Sequence, residues 1–130
     1  MMINSYFEQI EKLLSGFPYI VSIESIFDAI DVDRGYFRIK LKLIDQSELY
    51  LFEYVEIVNS KPIVSKYRYH WQNNHSKLIM RWDNAPHHPE IETFPDHIHN
   101  REESKVEPAK RPNLNYVLLK VSELIESKVR

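Results

Sequence analysis

Five runs of strand length, joined by short turns, constrain the fold of this chain more than any other feature. They are rich in β-branched and aromatic residues, and they cover residues 19–27, 36–43, 48–58, 63–71 and 77–83. In the second run, the alternating apolar residues are Phe37, Ile39, Leu41 and Leu43. Short links force sequential strands to pair antiparallel. The sequence therefore predicts a five-stranded antiparallel meander.

Amphipathic segments near the two ends of the chain predict helices. Ser5 and Glu8 form a capping-box pattern at the start of the first segment, and Gly16 follows its apolar stripe. The second segment begins after Pro112. Both helices need an apolar partner, so we expect them on one face of the sheet in an α+β fold. A length of 130 residues supports one hydrophobic core, so we expect residues 1–130 to form a single α+β domain.

The connection between the fifth predicted strand and the final helix is rich in proline. It contains five of the seven prolines of the chain, namely Pro86, Pro89, Pro95, Pro108 and Pro112. Because proline breaks helices and central strands, this region is predicted to be a long loop. Long connections without regular structure are typical of lids, binding loops and active-site segments.

Composition excludes several classes of protein. The formal net charge of −2 lacks the basic excess of a general nucleic-acid binder, although a local basic patch remains compatible with it. No cysteine is present, which excludes disulfides and thiolate zinc sites. The N-terminus lacks the pattern of a signal peptide, and no apolar run reaches the length of a membrane span. We expect a cytoplasmic protein without a membrane partner.

The histidines mark a candidate site. All six lie between residues 67 and 99, together with both tryptophans, and they are His70, His75, His87, His88, His97 and His99. Cleavage of RNA by its own 2′-hydroxyl needs a base, an acid and a group that stabilises the phosphorane charge, which two histidines and Arg81 can supply. Tyr67 and Tyr69 are candidates for stacking on bases. The phosphate-binding candidates are Arg38, Lys40 and Lys42.

Other interpretations of the same residues remain open. His97 and His99, with His87 or His88 and with Glu90 or Asp96, could form a zinc-type site, although no standard metal motif is present. Arg81 and Asp83 alternate on one side of a strand and could simply pair with each other. Trp71 and Trp82 could form a cross-strand aromatic pair, and the whole loop could dock on a partner protein.

The motif also resembles that of a known family. Arg81-Trp-Asp-Asn-Ala-Pro-His-His88, followed by Phe94-Pro-Asp-His-Ile-His99 and preceded by Tyr67-Arg-Tyr69, is similar to the TumE family, the toxin components of prokaryotic type II toxin–antitoxin systems. The sequence departs from the family pattern at Trp82, where tyrosine is common, and at Asp96, where a histidine is usual. The resemblance implies a toxin that a cognate antitoxin protein neutralises.

Chemistry and resemblance together give one hypothesis, a toxin that cleaves RNA by acid/base catalysis without a metal or cofactor. His87 or His88 would act with His97 or His99 as acid and base. Arg81 would stabilise the phosphorane, and Asp83 would orient a histidine. A non-catalytic interaction module and a metal-dependent nuclease or hydrolase are the alternatives.

Overall fold

The computed structural model describes residues 1–129 and shows one antiparallel sheet with a helix near each end of the chain. The elements are α1 (Ile3–Ser15), β1 (Ile20–Asp31), β2 (Arg34–Leu43), β3 (Glu48–Val58), β4 (Lys61–Gln72), β5 (Leu78–Asp83), β6 (His97–Asn100), β7 (Val106–Pro108) and α2 (Leu114–Val129). The strands lie in the sheet in chain order. The predicted α+β meander is confirmed. The predicted number of strands is wrong, because the sheet has seven strands instead of five.

The two additional strands lie in the region predicted to be a loop. The stretch between Pro95 and Pro108 contains no proline, and it holds β6 and all of β7 except its last residue. Pro108 is the last residue of β7, an edge strand in which a missing N–H is tolerated. With four and three residues, these strands are too short for an alternating pattern to be recognised in the sequence.

Helix α1 begins earlier than the capping box predicts. Its N-cap is Met2, which makes no side-chain cap, and Ser5 lies within the first turn. The backbone N–H of Ile3 instead donates to the carbonyl of Val32 at 2.8 Å, so the β1–β2 turn satisfies one free donor of the helix. The predicted end is confirmed, because Gly16 is the C-cap.

The helices cover one face of the sheet. The Tyr6 hydroxyl on α1 donates to Glu53 on β3, and Lys128 on α2 lies over the Trp71 ring on β4. Alternate residues of β2 point into the same core, as predicted. Both tryptophans belong to this core, but they do not face each other, because Trp71 pairs with Met80 and Trp82 pairs with Tyr69. None of the helices in the described chain is long and apolar enough to cross a membrane.

The opposite face of the sheet, called the outer face below, carries the polar side chains of β5 and β6. Trp82 points into the core, so its neighbours Arg81 and Asp83 point outward. The register pairs Arg81 with His99 and Asp83 with His97. Directly opposite residues share a face of the sheet, so four of the predicted catalytic residues meet on the outer face.

Candidate functional site

Three histidine rings converge at one end of the outer face. His97 and His99 come from β6, and His88 comes from the segment between β5 and β6. Ring centroids are 4.9 Å apart for His97 and His99, 5.1 Å for His88 and His97, and 5.9 Å for His88 and His99. The three rings line an open cavity of about 960 Å³, which Arg81 and Asp83 also line. The structure thus brings together five of the six predicted catalytic residues.

Asp83 holds the cluster together. Its Oδ1 accepts a hydrogen bond from the Ala85 backbone N–H at 3.0 Å and lies 2.9 Å from His97 Nε2. Its Oδ2 accepts from Arg81 Nε at 3.2 Å and lies 3.8 Å from His99 Nε2. Because the carboxylate is buried, these partners replace the water it has lost and fix its orientation.

Backbone carbonyls fix the orientation of the two histidines on β6. His97 Nδ1 donates to the carbonyl of Pro95 at 2.8 Å, and His99 Nδ1 donates to the carbonyl of Glu103 at 2.9 Å. The second nitrogen of His99 then carries a lone pair that faces the cavity. Burial lowers the pKa of His99, which favours the neutral ring. His99 is therefore equipped to accept a proton.

Arg81 is engaged by two carboxylates. Beyond Asp83, its guanidinium makes a bidentate pair with Glu103, with Nη1–Oε1 at 2.9 Å and Nη2–Oε2 at 2.5 Å. The hydrogen bonds from Arg81 lower the pKa of Glu103. Glu103 lies in the β6–β7 turn with a side chain that is 64% exposed, and nothing in its sequence context distinguishes it from a surface residue. A phosphate group presents the same fork of oxygens as this carboxylate.

The segment that carries His88 is tied to the sheet although it has no strand. The Asn84 side chain accepts from the backbone N–H of Tyr67 and donates to the carbonyl of Ser65. The hydroxyl of Tyr67 donates to Asp96 at 2.7 Å. Asp96 thus anchors the segment to β4. This is the residue that stands in place of a histidine in the motif discussed above. His88 is half-buried, and its Nδ1 lies 3.3 Å from Glu90 Oε1.

The other histidines lie apart from the three rings. His87 lines the same cavity, but its side chain is exposed and lies outside the group of three rings. His75 is exposed in the β4–β5 turn. His70 lies on the outer face opposite Arg81, and burial lowers its pKa. Its buried Nδ1 has no hydrogen-bond partner among the described residues.

The predicted substrate-binding residues separate into two groups. Tyr67 and Tyr69 are 2% and 0% exposed on the core side, and Tyr69 donates to Glu53, so we assign both to the scaffold. The basic residues Arg38, Lys40 and Lys42 lie on the outer face of β2, as their alternation with the buried residues requires. Arg38 lies over the ring of Phe52, at 4.6 Å from the ring centroid. Phe52 was not among the substrate-binding residues predicted from the sequence.

The three converging rings could also hold a metal ion. His88, His97 and His99 each offer a ligand atom, and these atoms lie within 4.8 Å of one another. Three imidazoles with an open fourth position suit a zinc-type ion. His97, however, already uses one nitrogen for Pro95 and has the other at hydrogen-bond distance from Asp83. Ligation by His97 would therefore require it to exchange one of these contacts.

Comparison with known proteins gives one match. The family model described as Toxin TumE matches residues 9–128. Searches among curated proteins and among solved structures give no match.

Proposed function

The chain belongs to the TumE toxin family, and from that premise we propose that it arrests growth by cleaving RNA through metal-independent acid/base catalysis and that a cognate antitoxin neutralises it. The observation that carries the proposal is the convergence of His88, His97 and His99 beside the Arg81–Asp83 pair in one open cavity. Acid, base and cationic groups are the components that cleavage by a 2′-hydroxyl requires.

His99 is the proposed base. Its Nε2 takes the proton of the 2′-hydroxyl as that oxygen attacks the neighbouring phosphorus. The ring then becomes a cation, and Asp83 Oδ2, 3.8 Å from this nitrogen, stabilises the charge. The hydrogen bond from His99 Nδ1 to the carbonyl of Glu103 fixes the orientation of the ring before the proton is taken.

His88 is the proposed acid. It gives a proton to the departing 5′-oxygen, so the bond from phosphorus to that oxygen breaks, leaving a 2′,3′-cyclic phosphate and a 5′-hydroxyl. Glu90 Oε1 lies 3.3 Å from the other ring nitrogen, Nδ1, and can hold the ring in position. His97 packs edge-on against both other rings and lies 2.9 Å from Asp83, which makes it a positioning residue.

Arg81 is the proposed group that stabilises the phosphorane charge. Its guanidinium lies beside the histidines, and Asp83 fixes its Nε. The outer edge of the guanidinium is paired with the exposed Glu103, so an incoming phosphate has to replace that carboxylate.

Induced expression in a bacterial host, followed by sequencing of RNA ends, tests the proposal. Wild type should arrest growth and create new RNA ends, and purified protein should leave cyclic phosphates. His88→Ala and His99→Gln should remove both effects while circular dichroism shows a folded protein. His75→Ala is the matched control and should behave as wild type, since His75 is exposed in a distant turn. Growth arrest without new RNA ends would refute RNA cleavage.

A metal-dependent nuclease is the second candidate, because three ring nitrogens lie within 4.8 Å of one another. Removal of metal ions with a chelator distinguishes acid/base cleavage from metal-dependent cleavage. Acid/base cleavage should continue at full rate after dialysis against EDTA, whereas loss of cleavage that Zn²⁺ or Mn²⁺ restores would favour the metal-dependent reaction. A docking module built on the tryptophans has no support in the fold, since Trp71 and Trp82 are 0% and 3% exposed.

A further inference from the structure

Two straight rows of side chains cross the outer face and end at the site. The first row is Arg38, Phe52, Arg68, Asp83 and His97. The second row is Lys40, Tyr50, His70, Arg81 and His99. Within each row, every residue is directly opposite the next one in the strand register. Each row spans five strands from β2 to β6, a distance of roughly 19 Å at the usual strand spacing.

The rows lie at the base of one continuous groove. The cavity at the histidines and a second open cavity of about 550 Å³ over β1 to β4 share Arg38, Phe52 and Arg68 among their lining residues. A ligand bound at the histidines can therefore continue across the sheet without leaving the surface. We call this continuous depression the outer groove.

The side chains of the outer groove favour a ligand with both anionic and planar groups. Arg38 and Arg68 are exposed on either side of Phe52, and neither forms an ion pair with the described residues. The ring of Phe52 and that of Tyr50 lie half-exposed in the groove. His70 adds a buried Nδ1 that has no hydrogen-bond partner in the described chain. Cations that alternate with aromatic rings match phosphates that alternate with bases.

We propose that the outer groove binds a single strand of RNA, which runs across the β-strands and delivers one phosphate to the histidines. This inference rests on the proposed cleavage of RNA. Arg68 contacts one phosphate. Arg38 moves away from its position over the Phe52 ring to contact another, and a base then stacks against the Phe52 and Tyr50 rings. A duplex is excluded from this mode of binding, because its bases are stacked inside and cannot reach aromatic rings on a sheet surface.

Binding measurements in a His88→Ala background test the groove separately from cleavage. The probe is a fluorescent 12-nucleotide RNA, presented alone or annealed to its complement. The single strand should bind at least tenfold more tightly than the duplex. Phe52→Leu should weaken single-strand binding about tenfold, as expected for one lost stacking contact. Arg68→Gln should lower the slope of log affinity against log salt by about 0.7, the value for one phosphate of a single strand.

Two variants on the helix-covered side are matched controls. Tyr116→Leu removes an aromatic ring that is 51% exposed on α2, and Lys12→Gln removes a cation that is exposed on α1. Both should leave affinity and salt slope unchanged. Equal binding of duplex and single strand, or equal effects of groove and control variants, would overturn the inference.

Failure of this inference and failure of the proposed function give different results. If wild type creates new RNA ends but Phe52→Leu and Arg68→Gln bind and cleave normally, cleavage stands and the groove is refuted. If the groove variants lose single-strand binding although wild type creates no new ends, the groove stands and cleavage is refuted. Groove variants that retain RNA binding but escape the antitoxin would also overturn the inference, because the groove would then be a protein-docking surface.

Discussion

Replacement of Asp83 by asparagine tests whether this carboxylate organises the site. Whichever way an amide is turned at this position, its NH₂ group faces another donor. One orientation opposes it to the Nε–H of Arg81, and the other opposes it to the N–H of Ala85. The substitution also removes one of the two carboxylates that pair with the buried Arg81. Loss of one partner of a buried ion pair lowers the free energy of unfolding by about 3–5 kcal/mol.

The expected result for Asp83→Asn is a midpoint of thermal unfolding lower by about 10–15 °C. RNA cleavage at a temperature where the variant is still folded should fall by at least about 100-fold, since both His97 and Arg81 lose their fixed orientation. Thermal and urea unfolding followed by circular dichroism measure the first effect. Quantification of RNA ends measures the second.

Asp96→Asn is the matched control, because it makes the same chemical change in the same region. The Asp96 carboxylate accepts a hydrogen bond from the Tyr67 hydroxyl, and the amide oxygen of asparagine can accept it equally. The expected loss is about 1 kcal/mol or less. If the two variants lose the same stability and keep the same activity, the argument that Asp83 organises the site is wrong.

Three further predictions concern the site, the core and the sheet. Glu103→Gln should lower the KM for RNA severalfold with little change in unfolding, since it removes an exposed competitor for Arg81; slower cleavage at an unchanged KM would instead show that Glu103 takes part in the reaction. Burial raises the pKa of the Glu53 carboxyl above its ordinary value of 4.5, so the carboxyl group keeps its proton to a higher pH in the folded state than in the unfolded state. The folded state therefore loses stability as the pH rises from 4.5 through this raised pKa. The unfolding temperature of Glu53→Gln relative to that of wild type should therefore rise with pH, and a difference that does not vary with pH would contradict this account. Gly35→Ala should unfold at a much lower temperature, because a Cβ there would lie 2.3 Å from the carbonyl oxygen of Asp28 and 3.1 Å from the Phe7 ring; unchanged unfolding would show that β1 can move away at little cost.

Strands β2, β3 and β4 could be predicted from the sequence because alternate residues of each are buried. Alternation located β3 with the bounds 48–58 that the structure has. Strands β6 and β7 could not be located this way, since they are short, and β6 depends on pairing with β5 and β7 on pairing with β6. The capping box was misleading, because a distant carbonyl at Val32 takes the role of a local side chain.

Residue type alone identified the histidines that meet in the site. It did not show which aromatic side chains of β4 face the core and which face the site. Tyr67, Tyr69 and Trp71 alternate on one side of β4, which is a sign of core residues that could have been read from the sequence. The position of Glu103 beside Arg81 depends on the β6–β7 turn, and the sequence carries no local signal for it.

Each strand that carries the site alternates between site and core. Trp82 separates Arg81 from Asp83, and Ile98 separates His97 from His99, with both intervening side chains on the core side. A change of volume at Trp82 or Ile98 will therefore move two functional side chains at once without altering their chemistry. Laboratory evolution of this protein can exploit that arrangement: libraries confined to these two positions should yield toxins of graded potency, whereas libraries at the histidines should yield mostly inactive ones.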